Sequence, residues 1–200
     1  MLMLRLTPVV KNLILINIIV FIGQQIIPDL TEYIGLFDVR TPYFKPYQLF
    51  TYMFAHGGFS HILWNMLFLF FAGPALEEFW GQKKFLFFYM ASGLGAGVFY
   101  MVIQLFIQES AHISIMYGAS GAVYGVLTAF GVIFAEMNVR LFFVLNVKAK
   151  YVVLFLGTMA IINSVGPFRA SGDGVAHLAH LGGIVIALIL LMYWRSKGRY

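Results

Sequence analysis

The chain has 200 residues, of which 61% are hydrophobic and only 10% charged. A soluble domain carries about 25% charged residues, so one globular core cannot hide this much apolar side chain and the solvent must be lipid. There is no cysteine, which excludes disulfides and thiolate–metal sites. The net charge of +5 comes from basic residues scattered through short loops, a pattern of membrane topology rather than of a nucleic-acid patch.

A helix needs roughly 20 apolar residues to cross a bilayer. Six spans are predicted, giving an all-α polytopic bundle formed by one domain over residues 1–200. The first covers 9–27 and ends at Pro28-Asp29; it reads as a retained helix rather than a cleaved signal peptide. A long segment, 28–59, follows. Its Pro42, Pro46 and aromatics (Tyr43, Phe44, Tyr47, Phe50, Tyr52, Phe54) suggest a folded loop partly sunk in the membrane interface. The second span covers 60–79, and the third, 85–107, follows a brief turn at Gly81-Gln82-Lys83-Lys84. The fourth covers 120–135. The fifth, 149–162, is short and bounded by Asn163, Gly166 and Pro167; the sixth covers 175–194. No internal repeat is seen.

Charge sets the expected orientation. With the N-terminus cytoplasmic, ten basic residues lie inside and three (Arg40, Lys45, Arg169) outside. Both termini are then cytoplasmic. The short loops and lack of extra domains point to a prokaryotic plasma membrane.

Polar residues inside membrane spans are costly and usually functional. His56, His61 and Asn65 cluster at the start of the second span, Ser120 opens the fourth, and His177 and His180 open the sixth. All even-numbered spans run in one direction, so these residues share one layer, within about 10 Å of the outer surface at a rise of ~1.5 Å per residue. A serine needs a base within hydrogen-bond reach to become a nucleophile, and His180 or His177 could serve. Asn65, a histidine and the Ser120 N–H could receive an oxyanion. His61 and Asn65, spaced i, i+4, share a helix face. Gly183 and Ala187 form a small-xxx-small pair that would let the sixth span approach Gly121 and Gly125 of the fourth. By itself Ser120 would be read as a helix cap or packing residue; the coincident layer argues for chemistry.

Three motifs resemble the rhomboid family of intramembrane serine proteases. They are His56 with His61-x-x-x-Asn65, Gly118-Ala119-Ser120-Gly121-Ala122-Val123-Tyr124-Gly125, and Ala179-His180-Leu181-Gly182-Gly183. The resemblance covers nearly the whole chain. It implies Ser120 as nucleophile and His180 as general base, chosen over His177 because Leu-Gly-Gly follows it. Asn65 and His56 would help bind the oxyanion, His61 would be a structural histidine near the site, and Tyr124 would pack against the base. Glu77, in Gly73-x-x-x-Glu77, would tie helices together at the inner side. The 28–59 loop would be membrane-embedded, 168–173 would cap the site and the fifth span would be a lateral gate. Tyr47-Gln48 stands where many members have Trp-Arg, which bears on the loop's anchoring. The implied activity is endoproteolysis of transmembrane proteins near the outer face, without metal or organic cofactor. The competing readings are a non-catalytic binding or quality-control member of the same fold and a multi-histidine haem or metal protein. Gly-x-Ser-Gly has no purpose in the latter.

Overall fold

A computed structural model describes residues 6–107, 115–141, 145–165 and 174–198. Helix α1 (Pro8–Ile26) starts with proline in its first turn, where the missing N–H costs nothing. Its outward face exposes Leu15, Ile18, Ile19, Ile22 and Ile26. Such a surface is soluble only in lipid. The next long helices are α4 (Phe59–Trp80), α5 (Gln82–Ile107) and α8 (Gly174–Ser196). Among the described residues four helices are therefore long and apolar enough to cross a membrane, and the protein is an integral, multi-pass membrane protein. Helices α6 (Ser120–Ile133) and α7 (Ala149–Val165) have 14 and 17 residues and are shorter than a full crossing. At a rise of ~1.5 Å per residue, α6 spans only about 21 Å.

The burial of α6 accounts for its length and its composition. Every residue from Ser120 to Gly131 except Tyr124 is buried. A helix apolar on all sides belongs in a protein interior, and α6 is enclosed by α4, α5, α7 and α8. Its closest neighbour is α8. A Cβ added to Gly183 would stand 1.9 Å from the Gly121 carbonyl oxygen, so the two backbones touch where the small-residue pattern expects. Ala187, one turn on, is fully buried.

The 28–59 loop is folded. It holds α2 (Leu30–Ile34), β1 (Leu36–Phe37), α3 (Gln48–Thr51) and a 3₁₀ turn at Tyr52–Phe54. Its aromatics divide into two groups: Tyr43, Tyr47 and Phe50 are exposed, whereas Tyr52 and Phe54 are buried. The Tyr52 hydroxyl donates to the Gly93 carbonyl at 2.6 Å. Gln48 anchors the loop from within. It is 2% exposed, accepts from the Lys45 N–H at 3.0 Å and donates to the Tyr43 carbonyl at 3.2 Å. The amide thus makes local anchoring contacts at the Tyr47-Gln48 departure. Strand β1 pairs antiparallel with β2 (Ile115–Met116), which leads directly into α6. A second antiparallel pair, β3 (Asn138–Leu141) with β4 (Leu145–Lys148), lies between α6 and α7 in sequence. It was not expected from the sequence, because no Asn-Gly or Asp-Gly turn marks it.

Two sets of contacts fix one end of the bundle. Trp80 at the end of α4 meets Trp194 near the end of α8, with ring centroids 5.2 Å apart. The Lys84 ammonium lies over the Trp194 ring at 4.3 Å. Glu77, 3% exposed, accepts from the Thr7 hydroxyl at 2.5 Å, the Val9 N–H at 3.0 Å and the Val10 N–H at 2.9 Å. It caps the N-terminus of α1 from another helix, where the unpaired N–H groups and the positive dipole end favour a carboxylate.

Candidate active site

At the opposite end of the bundle, the N-terminal turns of α4, α6 and α8 surround a cavity of about 560 Å³. Its lining includes Ser60, His61 and Asn65 from α4, Ser120, Val123 and Tyr124 from α6, and His180 from α8. Three segments distant in sequence thus bring serine, asparagine and two histidines to one opening. Trp64, Phe68, Ile115, Met116 and Tyr117 complete an apolar wall.

The placement of Ser120 follows from its neighbours. Gly118 has φ +130°, a conformation that side chains rarely adopt. Its N–H donates to the Tyr52 carbonyl at 2.9 Å, which ties the entry of α6 to the folded loop. The chain then turns into the helix at Ser120, the first helical residue, and 8% of the residue is exposed. The N–H groups of a first turn have no partner within their own helix, so the Ser120 amide stands beside its own hydroxyl as an available donor type. Gly121 makes the α8 approach possible, as described above.

His180 is held flat against Tyr124. The ring centroids are 4.3 Å apart and the planes 15° from parallel. Stacking of this kind fixes an imidazole's orientation while leaving its edges for hydrogen bonding. His177 lies in α8, but its side chain is outside the described residues, as is the 168–173 segment expected to cap the site.

The two α4-side histidines take different positions. His61 lines the cavity; His56 does not. A Cβ placed on Gly118 would lie 2.9 Å from His61 Nε2 and 3.6 Å from Ser120 Oγ, so the imidazole edge and the hydroxyl face a common point. His56 is 2% exposed and packs edge-on against His61, with centroids 5.1 Å apart. Its Nδ1–H donates to the Phe54 carbonyl at 3.3 Å. Burial pushes the His56 imidazole down to about 4, with His61 adding to the effect, so it is neutral at physiological pH. The geometry therefore divides the pair the other way round from the motif reading, with His61 at the cavity and His56 behind it. Asn65 donates to the His61 carbonyl at 2.8 Å, which uses one of its two amide hydrogens. Sequence reasoning missed the wall residues and the Tyr52 anchor. The aromatic density of the loop is the available signal, but by composition it equally suits a membrane interface.

The fold and cavity define a polytopic membrane protein with a serine and histidines gathered at one end of its bundle. The rhomboid domain model matches residues 43–197. The chain belongs to the rhomboid family of membrane proteins and is homologous to known rhomboid proteases. It is 29% identical over 153 residues to rhomboid protease AarA of Providencia stuartii, covering 70% of this chain and 53% of that protein. It is 34% identical over 171 residues to RHOMBOID-like protein 1 of Arabidopsis thaliana, covering 84% and 40%. With rhomboid protease GluP of Bacillus subtilis it shares 27% over 139 residues, covering 70% and 24%. The chain thus spans about half or less of the length of these relatives.

Proposed function

We propose that residues 1–200 form one intramembrane serine endopeptidase domain that acts through a Ser120–His180 dyad. The observation that carries the reading is the meeting of Ser120 and His180 on one cavity, with His180 stacked on Tyr124. Six helices cross the membrane in this reading, α6 and α7 with help from the surrounding protein. The ten-to-three distribution of basic residues puts both termini in the cytoplasm and the cavity toward the outer face.

The chemistry follows from the groups present. Ser120 Oγ attacks the carbonyl carbon of the scissile peptide while His180 accepts its proton. The oxyanion is received by the Ser120 N–H, the Asn65 amide and the His61 imidazole. His56 acts behind His61 as a neutral packing partner. The C–N bond breaks, the amine leaves with the proton from His180, and an acyl-enzyme remains. A water then attacks the ester, gives its proton to His180, and releases the new carboxyl terminus as the proton returns to Ser120. The substrate is a transmembrane segment that unwinds locally, because a hydrogen-bonded helix hides its carbonyls. The apolar wall of Trp64, Phe68 and Met116 suits the side chains of such a segment.

The test is cleavage of a transmembrane substrate in liposomes by wild type, Ser120→Ala, His180→Ala and His177→Ala. The first two variants lose cleavage and the third keeps most of it. Wild-type cutting by either dyad variant contradicts the assignment, and loss in His177→Ala equal to that in His180→Ala moves the base.

A further inference from the structure

The His56–Gly57 segment, which leads into α4, is gripped by a side chain from another helix. Gln24, in the last turn of α1, accepts from the His56 N–H at 2.9 Å through Oε1. Its Nε2 donates to the His56 carbonyl at 3.2 Å. The same nitrogen donates to the Thr31 hydroxyl at 2.8 Å, which orients the amide. A side-chain amide paired with both main-chain groups of one residue fixes that peptide in position and rotation, much as a neighbouring strand would. The next residue uses this fixity. The Gly57 N–H donates to His61 Nδ1 at 3.4 Å. In a neutral imidazole, an occupied Nδ1 acceptor leaves Nε2 as the N–H donor. That Nε2 is the atom at the cavity edge beside Gly118 and Ser120.

We infer that Gln24 is a positioning residue, which holds the His56–Gly57 main chain so that His61 presents Nε2–H to the cavity. The inference rests on the proposed oxyanion role of His61. It brings α1 into the site, although α1 lies outside the 43–197 match. Gln24 is too distant in sequence from every motif to be found by spacing, and a glutamine near the end of an apolar helix otherwise reads as an interfacial residue.

The test uses the full chain in detergent micelles with Gln24→Ala, Gln24→Glu and His61→Ala. Two readouts are taken: kcat and KM on a transmembrane substrate, and the ¹⁵N shifts of His61, assigned by loss of its signals in His61→Ala. Gln24→Ala lowers kcat about tenfold with KM within about twofold, an effect of misplacement rather than of substrate binding. Its His61 shifts move toward the other tautomer. Gln24→Glu keeps the acceptor for the His56 N–H and loses the donor, so it retains intermediate kcat and tautomer bias. If Gln24→Ala does not fold, Gln24→Glu alone decides by its shifts. Unchanged kcat and unchanged His61 shifts in the folded Gln24 variants, beside an impaired His61→Ala, overturn the positioning role alone. Wild-type activity in His61→Ala instead overturns the oxyanion reading beneath it.

Discussion

The two ends of α4 hold buried polar groups that are used in opposite ways. At the C-terminal end, both Glu77 oxygens are occupied, by Thr7, Val9 and Val10. At the N-terminal end, His61 and Asn65 border a cavity of about 560 Å³ together with Ser120 and His180. A polar group in a membrane protein is expensive unless satisfied. Glu77 is satisfied by the protein itself and rivets α1 to α4. The cavity groups converge on a space that a peptide could enter, which is the arrangement expected where binding energy is reserved for a reacting group. The same 22-residue helix thus carries a structural anchor near one end and the cavity groups near the other.

Substitutions at the two ends should therefore separate in what they change. The largest effect is expected at the dyad. His180→Ala lowers kcat by roughly 10³-fold or more, and Ser120→Ala/His180→Ala is little worse than either single variant, because the two groups act as a unit. Kinetics on a transmembrane substrate would show additive losses if they acted separately. Next is the helix contact that brings the dyad together. Gly183→Ala puts a methyl into the Gly121 carbonyl, within 1.9 Å. Displacing α8 by even an ångström should cost roughly 100-fold in kcat, while a substitution at lipid-facing Met192 should not.

Glu77→Ala reverses the pattern. It strands the first-turn N–H groups of α1 and should cost about 3 kcal/mol of stability. Its thermal midpoint falls while activity per folded molecule stays within about twofold. A smaller effect concerns acid. Between about 4 and its ordinary value near 6.5, folded His56 holds fewer protons than the unfolded chain. Stability therefore drops as pH falls through that window, by at most roughly 3 kcal/mol. Denaturation midpoints at pH 7 and pH 4.5 should show this slope in wild type and less of it in His56→Gln. The smallest effect is expected at Glu136, which pairs with Lys148 at 2.6 Å and with Lys150 on an exposed surface. Glu136→Gln should leave both the thermal midpoint and activity unchanged.

Much of this contrast was legible in the sequence. The apolar runs located α1, α4, α5 and α8, since hydrocarbon thickness dictates their length. The small residues at Gly121, Gly183 and Ala187 indicated which helices touch, because only side chains without bulk allow backbones to meet. Ser120, Asn65 and His180 could be gathered because the direction of successive helices is forced by connectivity, whereas Tyr124 entered only through the family resemblance. The order of His56 and His61 was not legible. It depends on where the chain enters α4, which Gln24 and the folded loop decide through contacts across 32 residues of sequence. The separation of Tyr52 from Tyr47 was equally hidden, since both suit a membrane interface by composition alone. Helix α6 could be read as a span by hydropathy, but its brevity follows from enclosure by other helices, a tertiary fact.

In the proposed mechanism Ser120 is a nucleophile activated within the cavity. The most direct measurement is reaction of the purified, folded protein with a fluorophosphonate, followed by mass-spectrometric mapping of the adduct. One phosphonylated residue, Ser120, labelled in wild type and at a greatly reduced rate in His180→Ala, is the result predicted. Labelling that persists in Ser120→Ala, or that proceeds at the wild-type rate without His180, would contradict it.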